Sequence, residues 1–397
     1  MVCMAPYENP VYFVIFGIAA APLVALSLAG KRANWYRYLL SLYFLLMSFG
    51  GANARQGIAL IFFAIFQVAL SQGYLLYRRR RNRTEVFILA VALSLSPLIA
   101  FKLSGIAFAK LSAIGFLGIS YLTFKSVQVI IEMRDGLIKH CGPVRYIRFL
   151  LFFPVISAGP IDRYRRFDAE AEARLEPGCY AELLEKGIHS IFLGFLYNHI
   201  LGRLLGGELL PIVEDYALTE GNVFLGSLMY MYVYSLYLFF DFAGYTQFAV
   251  GVSRILGFDI PPNFNKPFLS RNMKDFWNRW HMSLSFWFRD YVYMRLLMLL
   301  MRKKVCKSRV LASNIAYFAL FMLMGAWHGL TRYYIAYGLF HAIAMCVNDA
   351  WLRFKKKHRA RIPQNRLTNA VAIALTFHVA CFGFLIFSGF IETAAGF

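Results

Sequence analysis

An all-α, polytopic membrane protein is the fold class this sequence predicts, and three observations predict it. Hydrophobic types make up 59% of the 397 residues and charged types only 16%, where a soluble domain carries roughly 25% charge. Apolar runs approaching the ~20 residues of a membrane span recur along the whole chain. The excess of 42 Lys and Arg over 21 Asp and Glu, a net +21, falls in clusters between those runs, as the positive-inside rule expects of cytoplasmic loops. Disorder is excluded by the apolar content. A disulfide scaffold is excluded because Cys3, Cys141, Cys179, Cys306, Cys346 and Cys381 are sparse and show no C-x-x-C spacing. Nucleic-acid binding, the other reading of a basic chain, has no need to be invoked once topology accounts for the cations.

The runs lie at about 11–30, 57–77, 86–101, 105–130, 183–206, 223–252, 310–330, 333–351 and 368–390, with a shorter one at 38–50. Only Glu8 is charged before the first run and its cations follow it, so it is no cleavable signal peptide and the N-terminus is expected outside. Threading then places Lys31, Arg32 and Arg37 inside, with Arg78 to Arg83, the stretch Arg134 to Arg148, Arg302 to Arg309 and Arg353 to Arg361. The acidic loop with Glu208, Glu214, Asp215 and Glu220 falls outside. Ten spans with both termini outside satisfy every basic cluster. Two segments resist this pattern. Residues 149–161 are apolar but short and interrupted by Pro154, Gly159 and Pro160, and residues 254–301 mix aromatics with charge and carry Pro261, Pro262 and Pro267. Irregular backbone at membrane depth survives only where protein or water buries it, so both are expected to be re-entrant from the cytoplasmic side. No repeat, linker or second domain is visible; residues 1–397 read as one membrane-embedded domain.

The histidines sort by surroundings. His140 and His358 sit in loops, where a solvated imidazole is expected. His189 and His199 broadly share a helical face, and His341 and His378 have aromatic neighbours; packing with a hydrogen bond is the better reading for these four. His281 ends Phe276-Trp277-Asn278-Arg279-Trp280-His281 in the second re-entrant segment, and His328 lies in Gly325-Ala326-Trp327-His328-Gly329 late in an apolar span. An ionisable group there needs a cavity or a partner, and desolvation keeps an imidazole neutral and able to accept a proton. No metal set is present: there is no H-E-x-x-H and no His pair at i, i+4. Walker and G-x-S-x-G motifs are absent too. Asp241, in Phe239-Phe240-Asp241-Phe242-Ala243-Gly244-Tyr245, reads as a structural partner for a buried Arg, with a proton or ion site as the alternative.

From Phe153-Pro154 and Ala158-Gly159-Pro160-Ile161 through the Asp241 motif, Pro262-Asn263-Phe264-Asn265-Lys266-Pro267-Phe268, Asp275-Phe276-Trp277-Asn278-Arg279-Trp280-His281-Met282-Ser283-Leu284-Ser285 and Trp327-His328-Gly329, the chain resembles the membrane-bound O-acyltransferase family. The continuation Trp287-Phe288-Arg289-Asp290-Tyr291-Val292-Tyr293-Met294-Arg295, with no Gly or Pro over 291–301, is similar to the branch that D-alanylates teichoic acids, more than to the alginate O-acetylation branch. The resemblance implies a ring of tilted helices with re-entrant segments around a central tunnel, and His328 and His281 as catalytic residues. It implies a tunnel lined by Trp277, Asn278, Arg279, Trp280 and Ser283, with Asp241 and Trp327. It further implies a bacterial cell-membrane acyltransferase with no bound cofactor. The donor would be D-alanine on the phosphopantetheine thioester of a cytoplasmic carrier protein, and the acceptor lipoteichoic acid or a membrane relay partner. Met301, Arg302, Lys303 and Val305, where a Met-rich apolar stretch meets five cations, are the expected carrier-docking residues. A plain interfacial helix with snorkelling cations is the simpler reading of that stretch. A transporter, which also uses broken helices and midplane charge, is the rival class.

Overall fold

The computed structural model describes residues 4–31, 33–104, 115–173, 176–220, 222–358 and 365–396, and among them it contains helices and turns but no strand. In chain order the helices are α1 (Pro10–Leu28), α2 (Asn34–Phe49), α3 (Ala54–Arg80), α4 (Thr84–Ser104), α5 (Ile119–Arg134), α6 (Pro143–Leu150), α7 (Tyr164–Glu172), α8 (Pro177–Gly194) and α9 (Leu210–Asp215). They continue with α10 (Val223–Ile255), α11 (Met273–Trp277), α12 (Met282–Phe288), α13 (Met294–Arg302), α14 (Arg309–His328), α15 (Arg332–Lys357), α16 (Arg366–Phe387) and α17 (Phe390–Ala394). Among the described residues, seven helical segments are long and apolar enough to cross a membrane: α1, Gly51–Arg80, α4, α10, α14, α15 and α16. The protein is a multi-pass, all-α membrane protein.

The remaining three expected runs take other forms. The run at 38–50 becomes α2, of only 16 residues. The run at 183–206 starts as α8 and then loosens into π-helical turns over Phe195–Gly202 and Leu204–Leu209, so the shared face expected for His189 and His199 does not survive the change of pitch. Part of the run at 105–130 lies outside the described residues. The rest is α5, which is buried almost all round rather than lipid-facing. Its polar residues explain why. Lys125 Nζ donates to the carbonyls of Phe149 and Leu150 at 2.6 and 3.3 Å, Gln128 donates to the carbonyl of Asp162 at 2.6 Å, and Glu132 pairs with Arg165 at 3.1 Å. The expected cations Arg359 and Arg361 lie outside the described residues.

The chain forms two compact units, Met1–Leu193 with Tyr245–Pro261, and Gly194–Gly244 with Pro262–Phe397. In the first, the segment expected to be irregular is irregular: Phe153–Val155 makes one 3-10 turn between bends, buried under the stacked ring of Phe44 at 4.9 Å and tied to the Tyr7 hydroxyl through the Pro154 carbonyl at 2.9 Å. In the second, α14 and α15 cross closely because glycines face each other. A Cβ on Gly325 would lie 2.5 Å from the Tyr334 carbonyl oxygen, and one on Gly338 would lie 2.6 Å from that of Phe321. Small residues at such crossings are the usual means by which helices approach in lipid. The second segment expected to be irregular is broken into α11, α12, a π turn at Arg289–Tyr293 and α13.

Candidate active site

The second unit carries the residues singled out for chemistry. Asn272 caps α11 by accepting from the Asp275 N–H at 2.9 Å, and Asp275 in turn holds Arg279 at 2.8 Å. Arg279 is thus committed to an i, i+4 ion pair that shapes the segment. The chain then turns sharply at His281, whose φ of 43° and ψ of 53° lie in the left-handed region that side chains rarely occupy. The turn is held by a buried brace: Asn263 accepts from the N–H of Met282 through its backbone oxygen at 2.8 Å and from that of Ser283 through its side chain at 3.2 Å. Asn265 N–H meanwhile donates to the Arg279 carbonyl at 3.0 Å. Strain of this kind persists only where surroundings over-determine it and is commonly found at functional sites. Here it places a buried imidazole at the start of α12.

His328 arrives from another direction, at the last turn of α14. The glycine after it has a steric reason: a Cβ on Gly329 would lie 2.4 Å from the Tyr334 ring. His328 is edged by the rings of Trp327 at 4.5 Å, Phe387 at 4.9 Å and Tyr334 at 5.9 Å. It is only partly buried, whereas His281 is buried.

The two imidazoles line one cavity of about 60 Å³, walled by Leu238, Phe242, Trp277, Trp280, Leu284, Met324, Tyr337, Phe384 and Phe387. An almost wholly apolar chamber with two basic groups can accept a proton and exclude water, and it offers no cluster of His, Cys, Asp or Glu able to hold a metal ion among the described residues. A second cavity of about 290 Å³ shares two of its walls, Trp277 and Met324. That one carries Lys274, Arg289 and Arg309 with Asn278, Ser285 and Tyr293, so cations and apolar side chains line a single recess.

The other candidates fall into place less uniformly. Trp277 and Trp280 wall the histidine cavity, and Asn278 the adjoining one. Ser283 is buried in the Asn263 brace. Trp327 touches His328 rather than the cavity wall. Asp241 meets the amide of Asn198 at 2.8 Å instead of the expected arginine, and its neighbours Leu238 and Phe242 reach the cavity instead. Sequence reasoning had missed Tyr337, Phe242 and Phe387. No local signal distinguishes them from the other aromatic residues of these spans. Lys274 and Arg289 did carry a signal, as charges in an apolar segment.

On α13, Leu297 faces inward while Met298, Leu299 and Met301 face out, and Val305 is 64% exposed beyond the helix end. Arg302 and Lys303 are exposed beside them. Stacking of Tyr293 on Tyr317 at 4.5 Å and the bond between the Tyr293 and Ser313 hydroxyls at 2.8 Å seat this element against α14.

Of the remaining histidines, His140 and His189 are exposed. His378 is exposed and bonds to the Ala374 carbonyl at 2.6 Å. His341 is fully buried among Trp277, Phe321 and Tyr337, a packing position behind the cavity wall.

Comparison with known proteins bears on this chemistry. The model of the MBOAT, membrane-bound O-acyltransferase family matches residues 60–388. A teichoic acid D-alanyltransferase of Bacillus subtilis is 50% identical over 393 residues, covering 97% of this chain and 98% of its own. One of Streptococcus thermophilus is 46% identical over 98% of this chain and 96% of its own. A probable alginate O-acetylase of Pseudomonas aeruginosa is 27% identical over 67% of this chain and 47% of its own.

Proposed function

The chain belongs to the membrane-bound O-acyltransferase family, and on that premise we propose that it transfers D-alanine from a carrier-protein thioester toward teichoic acid, with His328 as general base. The observation that carries the reading is a pair of adjoining cavities: two histidines in an apolar chamber, and next to it a recess with cations, with Trp277 and Met324 lining both. The near-full-length likeness to teichoic acid D-alanyltransferases supports the identity of the group transferred.

The chemistry follows from these side chains. A phosphopantetheine arm entering the larger recess would lay its phosphate near Lys274, Arg289 and Arg309, its dimethyl and methylene groups along Leu297, Leu320 and Phe321, and its amides within reach of Asn278 and Ser285. Its thioester would approach Trp277. A neutral His328 accepts the proton of an acceptor hydroxyl as that oxygen attacks the thioester carbonyl. The C–O bond forms, the C–S bond breaks, and the thiolate leaves and takes up the proton. General-base help of this sort is worth about 10²–10⁴-fold. Aromatic walls keep out the water that would hydrolyse the thioester. His281, fixed by its strained turn, orients the acceptor or shares the proton.

The acidic carrier would dock on the face of α13, with Met301 and Val305 as its apolar centre and Arg302 and Lys303 steering the approach. The donor side would then be the cytoplasmic one, as the positive-inside rule expects for the basic clusters beside α13. Purified protein in vesicles without any ion gradient, given carrier loaded with labelled D-alanine, tests the proposal. Transfer of label to a lipoteichoic acid or lipid-anchored hydroxyl is expected. Transfer only from an acetyl-loaded donor would favour the exopolysaccharide O-acetylation reading that the alginate O-acetylase likeness keeps in view.

A further inference from the structure

A second, unrelated recess lies in the first unit. It is about 320 Å³ in volume and is formed by the start of α2, by α6 and the turn after it, and by Phe167, Ala171 and Phe258. Its interior is apolar, with Leu42, Leu45, Ile147 and Leu151 among its walls. Two arginines line it as well. Arg37 sits 5.8 Å from the Phe258 ring centroid, and Arg148 sits 4.1 Å from that of Tyr38.

The electrostatics of this recess are unbalanced. Arg37 has one hydrogen-bond partner, the neutral Asn34 side chain at 3.2 Å, and no carboxylate within ion-pair range among the described residues. Its Nε is buried without a partner. Among the described residues Arg148 pairs only with Glu172, at 3.9 Å, and that carboxylate also faces Arg145 at 3.7 Å. A half-buried guanidinium whose charge is met only by a neutral amide or a distant, shared carboxylate is costly, and an anion brought to it offsets that cost. The outer residues here, Leu39, Leu42, Val144 and Ile147, are 40–61% exposed, as suits side chains facing hydrocarbon. An anion delivered to this place must therefore come with an apolar tail.

We propose that this recess binds one anionic diacyl phospholipid, its headgroup phosphate on Arg37 and Arg148 and one acyl chain along Leu42, Leu45, Ile147 and Leu151. The rigid aromatic faces of Tyr38 and Phe258 hold the two guanidinium planes for the phosphate, and the volume is in the range of small-ligand pockets. Such a lipid would wedge α2 against α6 and so stabilise the first unit. The proposal is independent of the transfer reaction, since nothing in it uses the histidine cavity.

Native mass spectrometry and thermal unfolding of the full-length protein in detergent, with added phosphatidylglycerol, phosphatidylcholine or soluble glycerol phosphate, test it. Phosphatidylglycerol should be retained and should raise the unfolding temperature more than phosphatidylcholine, and glycerol phosphate should do neither. Arg37→Gln and Arg148→Gln should each weaken phosphatidylglycerol binding about fivefold, as expected of roughly 1 kcal/mol per interfacial cation. Arg37→Lys with Arg148→Lys should keep most of the preference. Ser41→Trp, which fills the recess, should abolish binding of both lipids. Equal effects of the two lipids, binding of glycerol phosphate alone, or unchanged phosphatidylglycerol affinity in the glutamine variants would each overturn the proposal. So would loss of binding to an acidic carrier protein in those variants with lipid binding intact.

Discussion

His328 and His281 differ in exposure and in how they are held, and their variants should differ accordingly. His328→Ala removes the proposed base from the end of a helix without disturbing a brace, so the protein should insert and fold normally while transfer falls about 10²–10⁴-fold. A purified variant keeping more than a tenth of the rate would exclude that role. His281→Ala removes the imidazole and its packing while leaving a Cβ in the left-handed turn, so its effect needs a second measurement. His281→Gly, which adopts the same backbone without strain, should leave thermal stability at or above wild type and still lose transfer. Recovery of activity in His281→Gly would assign the residue to the turn alone. Both histidines were legible because an imidazole amid Trp and Phe stands out. Their shared cavity was not, because its other walls are ordinary aromatic residues distant in sequence.

At the scale of elements, the re-entrant stretch depends on Asn263. It supplies two acceptors to the start of α12, and its side chain is buried. Asn263→Ala should cost about 1 kcal/mol for the lost hydrogen bond and reduce transfer more than donor binding, which single-turnover kinetics can separate. The α14–α15 crossing makes a different demand. Gly338→Val would push a branched side chain onto the Phe321 carbonyl, and overpacking of this order costs about 1–3 kcal/mol. A lowered unfolding temperature is expected. On α13, Met301→Asp with Val305→Asp should weaken carrier binding while leaving the rate from a small thioester donor unchanged. Equal loss with both donors would move the docking surface elsewhere. Proline and charge made the broken character of 254–301 readable in advance. The burial of α5 had a signal too, since Lys125, Gln128 and Glu132 recur at i, i+3 and i+7, but the apolar length of the run concealed it. The π turns after α8 have no such signal in composition.

For the whole molecule, charge and hydropathy were sufficient to indicate a multi-pass helical protein, because lipid leaves helices as the main way to satisfy the backbone. They were insufficient to show which apolar runs face lipid, since a run buried in protein and a run bathed in lipid have the same composition. The most direct test of the account measures single-turnover D-alanyl transfer in sealed vesicles with no ion gradient, from loaded carrier to a hydroxyl acceptor, for the wild-type protein and for His328→Ala. Rapid label transfer by the wild type, slowed about 10²–10⁴-fold in the variant with carrier affinity unchanged, is the result predicted. Transfer at the same rate by both proteins, or none by the wild type until a gradient is imposed, would contradict it.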